Sequence, residues 1–297
     1  MMDAIIRLNG VSKHFGTEKA LDDVSLEVPR GVVFALLGEN GAGKTTSIRI
    51  MLGLAEPNAG KAEVLGLDSA RHGLRIRQRV GYVCERPTLY EWMTIEEIGW
   101  FTAGFYGPGF LPEYARLIAQ FGLTPQKKLK NLSKGTRAKV VLSLALAHQP
   151  ELLILDEPTS GLDALVRRDF LESMVDRAAQ GQTVFLSSHQ IGEVERVADV
   201  VAILKKGKIA LVEPLDKLKN ETRRLTVTMN NGATLPPVLL GTVLSQRWRQ
   251  RQWQAIVRGV NDEQVAMLRA HEAVDAVDVQ TPSLEDIFVA TMQDEEG

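Results

Sequence analysis

The chain has 297 residues, of which 44% are hydrophobic and 24% charged, with a formal net charge of -2. That balance describes a globular chain of one large domain, or one domain plus a smaller one, and carries no electrostatic footprint for nucleic acid or anionic lipid. A single cysteine, Cys84, excludes an intrachain disulfide, fits a reducing compartment and reads as a small strand residue beside Val83.

In chain order, Ile5 to Leu8 and Val24 to Val28 are predicted as short strands around a polar loop in which Phe15 precedes Gly16. Pro29-Arg30-Gly31 turns the chain into the apolar run Val32 to Leu37. Next comes Gly38-Glu39-Asn40-Gly41-Ala42-Gly43-Lys44-Thr45-Thr46, ahead of a helix-period segment from Ser47 to Leu54. Strand, glycine loop and helix form the context in which G-x-x-x-x-G-K-[ST] cradles a polyphosphate. Glycines let the backbone turn sharply and aim N–H groups inward, and the new helix adds unpaired N–H groups and a positive dipole end. Lys44 then supplies charge to the β and γ phosphates, and the Thr45 hydroxyl is a ligand for Mg2+.

Glu56 to Gly60 breaks the helix, and Lys61 to Leu65 returns as a strand. Leu74 to Arg79 is a short basic stretch; with Arg71, its bases read as a solvated face or a partner surface. Val80 to Val83 is another strand. A helical insertion is expected over about 87–148. Thr94-Ile95-Glu96-Glu97 has capping-box order, so a helix starts there and runs to about Tyr106, where Gly107-Pro108-Gly109 ends it. Pro112 to Phe121 supports a second helix and Arg137 to His148 a buried third. Leu132-Ser133-Lys134-Gly135-Thr136 precedes that helix; on its own it is an N-cap, and also an anion-ready helix start.

Alternating units follow, with strands at Leu152 to Leu155, Thr183 to Leu186, Val200 to Leu204 and Lys208 to Val212. Helices at Ala164 to Ala179 and Ile191 to Val197 separate them, and Gly181 stands where the first must stop. Apolar strands alternating with helices imply a mostly parallel sheet covered on both faces. The first strand ends in Asp156 and Glu157, at the end of a parallel strand where ligands bind. Asp156 is placed to hold Mg2+, and Glu157 to orient and deprotonate an attacking water. Ser160-Gly161-Leu162-Asp163 closes the loop, and Ser187-Ser188-His189 ends the next strand, setting His189 toward a γ-phosphate. Near Leu218 to Arg224 the composition becomes charged, and a boundary is set between 1–219 and 220–297. Beyond it, strands at Leu225 to Met229, Ala255 to Val257 and Val274 to Val279 and helices at Val265 to Ala270 and up to Met292 make a small α/β module. Arg247 to Trp253 interleaves bases with aromatics, as a hairpin of that module or as a single-strand platform.

The order of these pieces resembles the ATP-binding subunit of ABC transporters over roughly 3–219, an α/β P-loop NTPase of ABC type with an antiparallel β subdomain. The resemblance implies that Phe15 stacks on adenine, an arrangement suited to a π-face. It implies also that Ser133, Gly135 and Thr136, with Asp163, face nucleotide between two subunits, a homodimer when ATP is bound. Two positions depart from the family pattern. Leu132 to Thr136 stands in place of Leu-Ser-Gly-Gly-Gln, with Lys134 adding a cation. Glu85 stands in place of Gln; it is an acceptable Mg2+ ligand, or a partner for Arg86 or another base. Tyr90, Trp92 and Met93 lie where the family receives a helix of its transmembrane permease. Ser283 to Phe288 resembles the end of a subfamily of bacterial ABC-2-type exporters. The implied function is an ATPase that powers a membrane exporter. The alternatives are a soluble relative or a nonhydrolytic nucleotide sensor without a permease. No apolar run reaches the roughly 18 residues of a membrane span, and the amino terminus lacks a signal-peptide core. The expected place is therefore cytoplasmic, at the inner face of the membrane through the permease, with no nucleic-acid partner.

Overall fold

The structure is a computed structural model, which describes residues 4–230 and 241–293. Two compact units, Met1–Val212 and Glu213–Gly297, divide the chain.

The first unit opens with β1 (Ala4–Phe15), β2 (Glu18–Pro29) and β3 (Val33–Leu37), followed by α1 (Lys44–Met51). It continues through β4 (Ala59–Val64), β5 (Leu67–Asp68), α2 (Ser69–Arg79) and β6 (Val80–Val83). Three helices come next: α3 (Ile95–Ala103), α4 (Phe110–Gln120) and α5 (Lys134–Leu146). Then strands and helices alternate through β7 (Leu152–Asp156), α6 (Ala164–Ala179), β8 (Thr183–Ser188), α7 (Ile191–Val194) and β9 (Val200–Lys205). β10 (Lys208–Pro214) ends the unit at Val212 and runs two residues into the second.

Its centre is a six-stranded sheet in the order β10-β9-β3-β8-β7-β6. Strands β6, β7, β8, β3 and β9 pair in parallel, as the alternation of apolar strands with helices predicts. Every residue of β3, β7 and β8 is buried. Phe34 and Phe185 stack across neighbouring strands at 5.6 Å, which ties β3 to β8, two of the three strands that carry the site. The parallel arrangement brings the loops after β3, β7 and β8 to one edge, since all three leave their strands in the same direction.

A second sheet, β2-β1-β4-β5, is antiparallel where its register is defined. Here β1 and β2 run well past the short strands expected from Ile5 to Leu8 and Val24 to Val28. The polar residues between them continue the ladder through several register shifts. Asp23 has φ 56, and its N–H donates to Ser12 Oγ at 3.0 Å. Such bulges break the period-two alternation on which a strand is recognised.

In the helical insertion, the Thr94 side chain accepts from the N–H of Glu97, and Glu97 accepts from that of Thr94, so the capping box forms as written. The basic stretch from Leu74 belongs to α2, whose N-cap Asp68 accepts from the N–H of Arg71. The helix expected to reach Val197 is α-helical only over α7.

The second unit holds α8 (Leu215–Glu221), β11 (Thr222–Met229), β12 (Thr242–Arg249), β13 (Gln252–Arg258), α9 (Asp262–Ala270), β14 (Val274–Gln280) and α10 (Leu284–Met292). Its antiparallel sheet has the order β12-β13-β11-β14 and buries Leu225, Val227, Trp253 and Val257 with Val265 and Leu268 of α9. Arg247 to Trp253 is the hairpin between β12 and β13, with Trp248 opposite Trp253 and Gln250 at φ 52 in the turn. The units divide ahead of the boundary at 219 set from composition. Arg258 of β13 donates to both Glu213 and Glu221, so α8 goes with the second sheet.

Candidate functional site

The glycine loop joins β3 to α1 at the edge where the parallel strands end. Gly43 takes φ 108 and caps α1 without a side-chain hydrogen bond. A Cβ there would lie 2.4 Å from the carbonyl oxygen of Ala20, and one at Gly38 would lie 2.6 Å from that of Leu204. Glycine is thus required by space at both positions and by backbone angle at Gly43. The Ala42 N–H donates to the Glu39 carbonyl at 3.1 Å, closing a tight turn whose Glu39, Asn40 and Gly41 are exposed. The result is a concave run of backbone leading to a helix start, the form in which proteins hold phosphate oxygens. Thr45 and Thr46, in the first turn of α1, are half-buried.

Three polar side chains, those of Lys44, Glu157 and His189, meet beside this loop. Lys44 is 6% exposed and Glu157 7%. The Lys44 ammonium donates to the carbonyls of Gly38 at 2.7 Å and Glu39 at 3.2 Å and lies 3.1 Å from Glu157 Oε1. His189 Nδ1 is 2.8 Å from Glu157 Oε2, and its backbone N–H reaches the same oxygen at 3.3 Å. A carboxylate only accepts, so the His189 hydrogen sits on Nδ1. Glu157 adopts φ 49, a left-handed backbone that a non-glycine residue rarely takes.

Asp156, the last residue of β7, is 1% exposed and accepts from Ser187 Oγ at 2.6 Å. Ser187 lies opposite it in the parallel register of β8, and also receives the Glu157 N–H at Oγ and at its carbonyl. Ser187 thus holds both acids. Sequence reading stopped at the Ser-Ser-His ending; the signal was the pairing of two strand ends. On neighbouring β6, burial and then the charge of Asp156 hold the Tyr82 phenol protonated far above its usual range. Burial likewise pushes the Cys84 thiol up, so Cys84 is no activated nucleophile.

A divalent cation at this point would draw on one buried carboxylate, Asp156, and on the hydroxyl of Thr45 in the first turn of α1. Among the described residues no group of three or more His, Cys, Asp and Glu could hold a metal. Few protein ligands, all hard oxygen, suit Mg2+, which keeps waters and takes phosphate oxygens. Glu85 pairs with Arg86 at 3.7 Å and lines a separate groove with Lys134, Arg137 and Gly161.

The remaining expected residues stand apart from this cluster. Ser133 caps α5: its Oγ accepts from the Thr136 N–H at 3.2 Å and lies 2.8 Å from Thr136 Oγ1. Gly135 packs against Val166, and Lys134 extends over Gly161. Asp163 caps α6 by accepting from the Val166 N–H at 3.0 Å. Phe15, at the turn between β1 and β2, is 53% exposed, with the Lys13 ammonium 5.3 Å from its ring centre. Among the described residues no helix is long and apolar enough to cross a membrane.

Comparison with known proteins adds the following. The family profile described as ABC transporter matches residues 21–160, and one described as AAA domain, putative AbiEii toxin, Type IV TA system, matches 126–195. An uncharacterised ABC transporter ATP-binding protein of Nostoc sp. is 39% identical over 221 residues, 72% of this chain and 65% of that one. The chain therefore spans less than two thirds of that relative's length. The daunorubicin resistance ATP-binding protein DrrA3 of Streptomyces coeruleorubidus is 31% identical over 303 residues, covering 97% of this chain and 96% of its own. A solved structure titled as the ATP binding subunit of an ABC transporter superposes with a TM-score of 0.66 at 34% identity, over 73% of this chain and 92% of that one.

Proposed function

The chain belongs to the family of ABC transporter ATP-binding proteins, and from that membership we propose that it is the ATP-hydrolysing subunit of a membrane exporter, with MgATP held between two nucleotide-binding subunits. The observation that carries the hydrolytic part is the convergence of Lys44 and His189 on the two oxygens of Glu157, beside a glycine cradle.

The loop amides and the α1 start receive the β and γ phosphates, and the Lys44 ammonium moves from its carbonyl and Glu157 partners onto their oxygens. That transfer leaves Glu157 Oε1 facing the γ-phosphorus while His189 keeps Oε2 in place. Water attacks the phosphorus, Glu157 takes its proton, and the bond to the ADP oxygen breaks to give ADP and phosphate. The γ-phosphate contact expected of His189 would use Nε2, which donates to a phosphate oxygen only when it too carries a hydrogen. Asp156 and Thr45 would hold Mg2+, which would neutralise phosphate charge when bound; Glu85, paired with Arg86 in its own groove, would join them only by leaving that pair.

Ser133, Gly135, Thr136 and Asp163 are assigned to the nucleotide of a second copy. Ser133 and Asp163 are exposed caps at helix starts away from the chain's own phosphate loop, with Thr136 half-buried and Gly135 buried beside Ser133, which supports this. Phe15 is assigned to the adenine face, the base taking the place of Lys13 over the ring. The exposed Tyr90 and Trp92 are assigned to the permease, which would hold the subunit at the inner face of the membrane; Met93, expected on the same surface, is buried and supports the stretch from beneath instead. The 31% identity to a drug-resistance protein along nearly the whole chain supports export.

The decisive experiment is Glu157→Gln. It keeps shape and ATP affinity but removes the base, so turnover is expected to fall about 10²–10⁴-fold. Turnover near that of the unaltered chain would remove Glu157 from the role.

A further inference from the structure

We propose that Arg167 and Glu193 are a positioning pair that keeps Glu157 and His189 in register, an inference resting on the hydrolytic reading above. Two segments carry the reacting pair: the loop leaving β7, with Glu157 and Thr159, and the segment leaving β8, with His189 and Glu193. Two side-chain contacts join them. His189 Nδ1 meets Glu157 Oε2 at 2.8 Å, and Thr159 Oγ1 donates to Glu193 Oε2 at 3.4 Å. Arg167, on α6, closes the set. One guanidinium nitrogen pairs with Glu193 Oε1, and the other donates to the Leu162 carbonyl at 2.8 Å.

One planar fork therefore ties the end of the Ser160 to Leu162 loop to the turn that follows His189. A lysine cannot reach two acceptors in that geometry. The tie matters because the segment it holds has little stiffness of its own. α7 is a single turn from Ile191 to Val194, and a helix that short is not self-supporting. The His189 side chain is 41% exposed, so surrounding packing alone does not fix its ring. Thr159, by contrast, is 3% exposed, so its contact reaches Glu193 from a buried side chain. Neither Arg167 nor Glu193 touches the reacting atoms; both act through His189.

The test compares the full chain with Glu193→Ala, Arg167→Met and Glu193→Gln. With MgATP varied, the first two are expected to lower kcat about ten- to hundredfold while KM stays within about twofold. Glu193→Gln keeps an acceptor for Arg167 and a partner for Thr159, and should restore most of the loss. Separately, nitrogen NMR of the five histidines, with His189 assigned by His189→Ala, reads the ring tautomer without any turnover. The Nδ1–H form is expected in the unaltered chain and lost in Glu193→Ala. A tautomer unchanged in Glu193→Ala overturns the proposal whatever turnover does, and so does an unchanged kcat. If Glu193→Ala does not fold, Thr159→Val removes one contact and decides the same way. If the unaltered chain hydrolyses nothing, the hydrolytic reading fails while the tautomer still decides the pair.

Discussion

A buried cation and a buried carboxylate coexist beside the glycine loop because each has other partners. Lys44 donates to two backbone carbonyls, and Glu157 receives His189. Taking one charge away leaves the other desolvated, which costs more than the pair contributed. Lys44→Met should therefore lower the stability of the nucleotide-free chain by about 1–3 kcal/mol. Adding Glu157→Gln to it should restore most of that stability, because no uncompensated charge remains. ATP affinity behaves differently: it falls with Lys44→Met and is not recovered in the double variant, since the phosphates have lost their cation. Denaturant melts and ATP titration of the two variants read both effects. Unchanged ATP affinity in Lys44→Met would contradict the cradle. Lys44, Asp156 and Glu157 were legible in the sequence because a glycine loop and a strand ending in acids are local patterns. Ser187, Arg167 and Glu193 were not, because their roles depend on strands and loops far apart in the chain meeting at one edge of the sheet.

Elements were legible where chemistry and period agreed over a short stretch. The capping box at Thr94, the apolar strand before Asp156 and the helix Ala164–Ala179 formed where their residues placed them. α8 was missed because its sequence, Leu-Asp-Lys-Leu-Lys-Asn-Glu, buries only Leu215 and Leu218 and otherwise reads as a charged connector. Its place is fixed by Arg258, whose guanidinium reaches Glu213 at 2.8 Å and Glu221 at 2.8 Å. The Arg258 hydrogen bond, then that of Lys217, holds the Glu213 carboxyl below the usual carboxylate range. A depressed folded-state value stabilises above the unfolded value, about 4.3, and that contribution disappears as pH falls through the folded value. Arg258→Met is accordingly expected to cost about 1 kcal/mol at neutral pH and clearly less by about pH 3, as read by denaturant melts of the second unit. An equal cost at both pH values would mean that Arg258 acts through its packed stem, not its charge.

At the scale of the molecule, two hydrophobic clusters among the described residues have no residue in common. One surrounds Phe34, Leu152 and Phe185 in the first unit, the other Trp253, Leu225 and Val257 in the second. The phosphate loop, Asp156, Glu157 and His189 all lie in the first unit. A ligand stabilises only the cooperative unit that binds it, by about 2.7 kcal/mol at a concentration of roughly 100 Kd. For a unit of this size that corresponds to a rise of about 5–10 °C in Tm. Calorimetry of Glu157→Gln, which binds without consuming ATP, is therefore expected to show two transitions, of which MgATP raises only one. Trp253→Ala removes a large side chain that is 2% exposed, and should lower the other transition through a loss of about 3–5 kcal/mol. ATP affinity should be untouched by that variant. If MgATP raised both transitions together, the units would unfold as one, and the carboxyl-terminal module would be part of the nucleotide-responsive body.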